Sequence, residues 1–208
     1  MNTTYDRQVA PPLANALIGA VTYAGDQLGG LVECQIRLQG TNVERLRLED
    51  LPGLRVGEER LVTAVYLQFD GQFEGHVVLA FSPEAAAQLA EKLVMEPVQA
   101  DEPLSLLVES ALGEVGNIVT ASFLTAIANA ADYTVHPSPP VVIQDMIGAL
   151  LSNVVLELAM ESSHALLVHT VFEVGGETLQ GELILLPTDR SCDTLESRLI
   201  TCSQPRLQ

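Results

Sequence analysis

Apolar residues recur at helical spacing over two long stretches, residues 13–31 and 104–130, and at alternating or continuous spacing over shorter stretches bounded by glycine and proline. In the second long stretch Val108, Leu112, Val115, Val119, Phe123 and Ala126 form one apolar face at about 100° per residue, fit for a core. The segment FDGQFEGHVVLAFSP, residues 69–83, reads as strand, turn, glycine and a strand ending at proline; VGGETLQGELILLP, residues 174–187, reads the same way. A long helix precedes each hairpin, with the self-similar positions roughly a hundred residues apart, so a duplication is the simplest explanation. The pattern predicts one domain over 5–188, made of related halves at about 5–95 and 101–188.

Elsewhere Ser82 and Pro83 start a short helix that runs to Leu93, because Ser caps well and Pro suits a first turn. Residues 95–103 connect the halves, and Leu28, Gly29 and Gly30 mark the end of the first helix. Residues 132–135 are expected as a strand, 136–140 as a bend, 144–151 as a helical turn, and 154–159 and 166–174 as strands. Past Thr188 the sequence turns polar and irregular, which predicts a mobile C-terminal tail over 189–208.

With 208 residues, 48% of them hydrophobic, the chain buries a sizeable core without staples. No run of membrane-spanning length is expected, and the first residues lack the charged start and cleavage site of a secretory signal, which points to a cytoplasmic protein. The net charge of −17 is scattered along the chain. Such a surface repels nucleic acid and anionic membranes, so the expected partners are proteins. Cys34, Cys192 and Cys202 lack metal-ligand spacing and read as reduced thiols. His76, His136, His164 and His169 read as surface or satisfied side chains, so no metal site is expected.

One group stands out. Ser110, Glu114 and Asn117 fall on a single stripe opposite the apolar face, and Pro140 follows after twenty-two residues. Gly113 flanks the stripe and Ala121 lies on it, which keeps the surface low for the approach of a partner, although a helical glycine costs about 1 kcal/mol relative to Ala. Gly113 could equally serve packing, and an isolated Glu–x–x–Asn is ordinarily just solvated surface. Gly116 falls on the other side, where close packing explains it.

The complete spacing, Ser–x3–Glu–x2–Asn–x22–Pro, resembles the motif of the CheC/CheX/FliY phosphatases of bacterial and archaeal chemotaxis. The flanking segments VYLQFDGQFEGHVVLAFSPEAA and PPVVIQDMIGALL also look CheC-like, and the likeness covers roughly residues 13–187. The resemblance implies an α/β fold: an internally duplicated CheC-like domain, with a mainly antiparallel sheet of about six strands and long helices packed on one face. It implies a protein-aspartyl phosphatase acting on a phosphorylated CheY-like response regulator, with Glu114 and Asn117 catalytic and Ser110 and Pro140 supporting. No cofactor of its own is implied, because the regulator supplies the divalent cation (Mg), the aspartate and a lysine.

CheC proteins can carry one active site per half, but residues 13–31 contain no Glu. Setting Ile18 on Ile118 puts Ala14 and Leu17 at the two positions, and setting Gly19 on Gly116 puts Leu17 and Ala20 there. Only the second half is expected to be active, and the first helix reads as a packing element. The resemblance also allows an adaptor that binds the receptor deamidase CheD with little catalytic role, or a relative of the flagellar switch protein FliM.

Overall fold

The computed structural model describes residues 9–31, 36–51, 60–100, 102–158, 160–174 and 176–202. The expectations for Cys34, Ala159 and residues 203–208 lie outside these. Among the described residues, five α-helices and seven strands follow in the order α1 (Pro11–Leu31), β1 (Ile36–Arg47), β2 (Leu61–Gly71), β3 (Gly75–Phe81), α2 (Pro83–Val94), α3 (Leu106–Ala131), β4 (Val135–Pro137), β5 (Val141–Met146), α4 (Ile147–Leu158), β6 (His164–Val174), β7 (Glu177–Pro187) and α5 (Asp189–Cys202).

The strands pair antiparallel in one sheet of order β1-β6-β7-β3-β2-β4, with β5 also on β2. Exchanging β1 with β5, β2 with β6 and β3 with β7 turns the order β1-β6-β7-β3-β2-β5 into its own reverse. The helices after the central strands match as well. Ser82 Oγ accepts from the Ala85 N–H at 3.2 Å at the start of α2, and Thr188 Oγ1 accepts from the Ser191 N–H at 3.3 Å at the start of α5.

Strand alternation sends Leu67, Phe69, Val77, Leu79, Leu166, Val168, Leu183 and Leu185 to one face of the sheet, where α1, α2, α3 and α5 cover them. Val62, Ala64, Val78, Ala80, Leu167 and Ile184 point to the other face, where α4 packs. The two longest helices therefore share a face, and a shorter one covers the opposite side. All seven residues of β3 are buried, as a central strand covered on both faces requires.

Several expectations are corrected. Residues 189–202 are no mobile tail: Leu195 and Leu199 of α5 are buried against the core, and each such burial contributes about 1.5–3 kcal/mol. Side-chain contacts pin the helix further, with Arg45 paired to Glu196 and Asp189 Oδ1 accepting from the Ser163 N–H at 2.9 Å. Of the apolar run taken for a strand at 154–159, residues 154–158 belong to α4, because Ile147, Leu150, Leu151, Val154 and Leu158 sit at helical spacing on one buried side. The helical turn expected over 144–151 starts only at Ile147, since Gln144 pairs with Thr63 in the sheet. The strand expected at 132–135 starts at Val135, because Asp132 caps α3 in the left-handed region at φ 57°. Finally, α3 does have the length and hydropathy of a membrane span; half of its most apolar window is buried, as in a core helix.

Candidate functional site

The stripe is carried by α3, whose first turn is capped by Ser105, its Oγ accepting from the Val108 N–H at 3.3 Å. The buried side of the helix is formed by Val108, Leu112, Val115, Gly116, Val119, Thr120 and Phe123. Gly116 seats the helix on the sheet: a Cβ there would lie 2.5 Å from the Val65 methyl carbons of β2. Thr120, also buried, donates its hydroxyl to the Gly116 carbonyl at 2.6 Å, so this polar group is satisfied inside the core.

With that side held down, Ser110 and Glu114 are exposed and Asn117 and Ala121 are half-buried on the outer face. The helix is continuous from 106 to 131, so the three- and four-residue steps leave the hydroxyl, carboxylate and amide as neighbours along one line. Pro140 is half-buried and immediately precedes β5. A Cβ on Gly113 would stand 3.3 Å from Val142 Cγ2 of β5, which brings the strand after Pro140 against the flank of the stripe. Gly113 thus makes room within the fold, the packing role that its sequence position had left open.

The first helix is corrected in register. Leu17 and Ala20, expected opposite Glu114 and Asn117, are buried, and Ala14 is half-buried. Buried positions coincide when Leu17, Val21, Ala24, Gly25 and Leu28 are set on Val108, Leu112, Val115, Gly116 and Val119. The exposed stripe of α1 is then Gly19, Tyr23 and Asp26, with no carboxamide.

The histidines are held by neighbours: His169 Nε2 lies 3.0 Å from Glu44, His164 Nδ1 2.7 Å from Ser163 Oγ, His136 Nδ1 3.3 Å from Asp70 and His76 Nδ1 2.6 Å from Tyr66 Oη. Cys192 is half-buried, and burial pushes its thiol up while Arg45 partly opposes this, so it is a poor nucleophile.

Comparison with known proteins bears on this same helix. The CheC-like family matches residues 107–143, the stretch from the start of α3 through Pro140 into β5. The CheY-P phosphatase CheC of Bacillus subtilis (strain 168) is 27% identical over 177 residues, spanning 83% of this chain and 85% of that protein. The crystal structure of FliY from Thermotoga maritima superposes with a TM-score of 0.73 at 16% identity, covering 94% of this chain and 99% of that one. CheX, in a CheX–CheY–BeF3–Mg complex from Borrelia burgdorferi, shares the fold at a TM-score of 0.52 and 22% identity, over 84% of this chain and 97% of that one. In its motif, its antiparallel fold and these relatives, the chain resembles the CheC/CheX/FliY group of chemotaxis proteins.

Proposed function

We propose that the chain accelerates dephosphorylation of a CheY-like response regulator through one site, the Glu114–Asn117 pair of α3. The observation that carries this reading is an exposed carboxylate and a half-buried carboxamide one turn apart on the outer face of a helix whose opposite side is locked into the core. The name of the Bacillus subtilis relative, a CheY-P phosphatase, and the CheX–CheY complex support the choice of partner.

An aspartyl phosphate is an acyl phosphate, and the regulator brings its own aspartate, divalent cation and lysine to the reaction. What it lacks is a fixed water. The Asn117 carboxamide holds a water in line with the phosphorus; the water oxygen bonds to phosphorus as the bond to the aspartyl oxygen breaks, releasing the aspartate carboxylate and inorganic phosphate, which keeps the water protons. An amide orients such a water and takes no proton from it. Glu114, an exposed carboxylate, pairs with the regulator's lysine and sets the register in which Asn117 reaches the phosphoryl group. Ser110 and Pro140 shape the surface around the pair.

Phosphate release from phosphorylated CheY-like regulators, followed with and without the purified chain, tests the reading. Acceleration of at least one is expected, and no acceleration of any overturns it. Glu114→Ala should weaken binding of the phosphorylated regulator by about tenfold or more, whereas unchanged affinity with slower turnover contradicts the lysine pairing. The alternative, an adaptor for CheD, draws on the absence of a carboxamide from the α1 stripe. An adaptor would keep full CheD binding and full effect in Asn117→Ala.

A further inference from the structure

The outer line of α3 does not begin at Ser110. Leu106 and Leu107, in the first turn of the helix, are 86% and 56% exposed, and at about 100° per residue the line through Ser110, Glu114 and Asn117 runs back between them. Leu107 precedes Glu114 by about two turns of helix, roughly 10 Å along the axis. Neither leucine joins the apolar core, which takes Leu104 and Val108 on either side of them.

A single exposed leucine is ordinary. What marks these two is the other half of the fold. With the buried faces of α1 and α3 set on each other, Leu17 on Val108 and Gly25 on Gly116, Leu106 and Leu107 fall on Asn15 and Ala16. Asn15 is exposed and Ala16 half-buried, so α1 takes the same kind of seat with no large apolar residue at these positions. The half without the carboxylate–carboxamide pair is also the half without the leucines. The core does not require them, and the first turn, where the macrodipole favours acidic side chains, gains no electrostatic support from them. Exposed Glu102 and Glu109 flank them in the chain, which makes an apolar spot with a charged edge, the layout of a protein-docking patch. An anionic membrane would be repelled by that edge.

We propose that Leu106 and Leu107 are the apolar anchor by which the phosphorylated regulator docks on α3, which rests on the phosphatase reading of Glu114 and Asn117. A protein interface of standard size covers about 800 Å² on each partner, a patch roughly 30 Å across, so a regulator seated over the pair also reaches leucines about 10 Å away. Covering them adds the same affinity to the ground state and the transition state, so it lowers KM and leaves turnover at saturation alone. The regulator surface that meets them is apolar and edged by basic side chains, one of them the lysine that pairs with Glu114.

For the test, a CheY-like regulator whose dephosphorylation the chain accelerates is loaded with beryllofluoride and magnesium, a stable stand-in for the phosphoryl group. It is titrated calorimetrically into the wild-type chain and into the Leu106→Gln/Leu107→Gln variant. Affinity should fall about tenfold or more and KM rise in step, with saturated turnover and melting temperature unchanged. Leu106→Met/Leu107→Met, which keeps the apolar surface, should bind within about twofold of wild type, as should Leu156→Gln, which alters a 76% exposed leucine on α4. Wild-type affinity in the glutamine variant would overturn the proposal and leave the phosphatase reading standing. Equal losses in the glutamine and methionine variants would overturn it too. If the wild-type chain accelerates no regulator, the phosphatase reading fails and the anchor falls with it. A dimer of the chain that the glutamine variant splits, with regulator binding intact, would assign the leucines to a second copy instead.

Discussion

The helices α1 and α3 pack against each other under one sheet, and they differ most on their outer sides. Both bury a stripe of leucine, valine and alanine, and both rest on the sheet through a glycine: a Cβ on Gly25 would lie 2.6 Å from the Leu38 carbonyl oxygen, one on Gly116 2.5 Å from Val65. Outwardly α1 shows Gly19, Tyr23 and Asp26, and α3 shows Ser110, Glu114 and Asn117. The fold constrains the seat in each half and leaves the outer stripe open to function. A duplicated domain can thus vary its outer stripes without loosening its core.

The seat should be the costliest part of either helix to disturb. Gly25→Ala presses on backbone and should destabilise the chain by about 2–3 kcal/mol, and Gly116→Ala, which presses on a buried valine, by about 1–3 kcal/mol. Urea unfolding measures both, and a neutral result would mean that the helices do not sit as closely as described. Leu195→Ala removes the side chain by which α5 docks on the core beneath both helices, at an expected cost of about 2–4 kcal/mol. A mobile tail would show no change. The smallest effect belongs to the outer side of α1: nothing lies within 4 Å of a Cβ on Gly19, so Gly19→Ala should stabilise by up to about 1 kcal/mol and leave the proposed turnover alone.

How much of this was legible in sequence follows from where burial and spacing agree. The α3 stripe and the Ser82 cap were readable because the apolar spacing, the cap residue and the breaks all point the same way. The helix α5 was missed because Asp189, Arg190, Asp193, Glu196 and Arg198 make its composition polar. Its signal was the spacing of Cys192, Leu195 and Leu199, together with a Thr188 cap that repeats the Ser82 cap one half earlier. In α4 the run LLSNVVLEL is rich enough in β-branched and apolar residues to pass for a strand, and only its packing on the far face of the sheet decides otherwise. The register of α1 on α3 was hidden for a similar reason. Ile18 on Ile118 is a match of letters, whereas the buried set beginning at Leu17 and Val108 is a match of environments.

The central claim is that the Asn117 carboxamide acts in chemistry without serving the fold. Phosphate release from a phosphorylated CheY-like regulator, measured for the wild-type chain and for Asn117→Ala at matched melting temperature, tests it most directly. Loss of acceleration on the order of 100-fold is expected, with unfolding unchanged. Full acceleration by the Asn117→Ala chain would contradict the account.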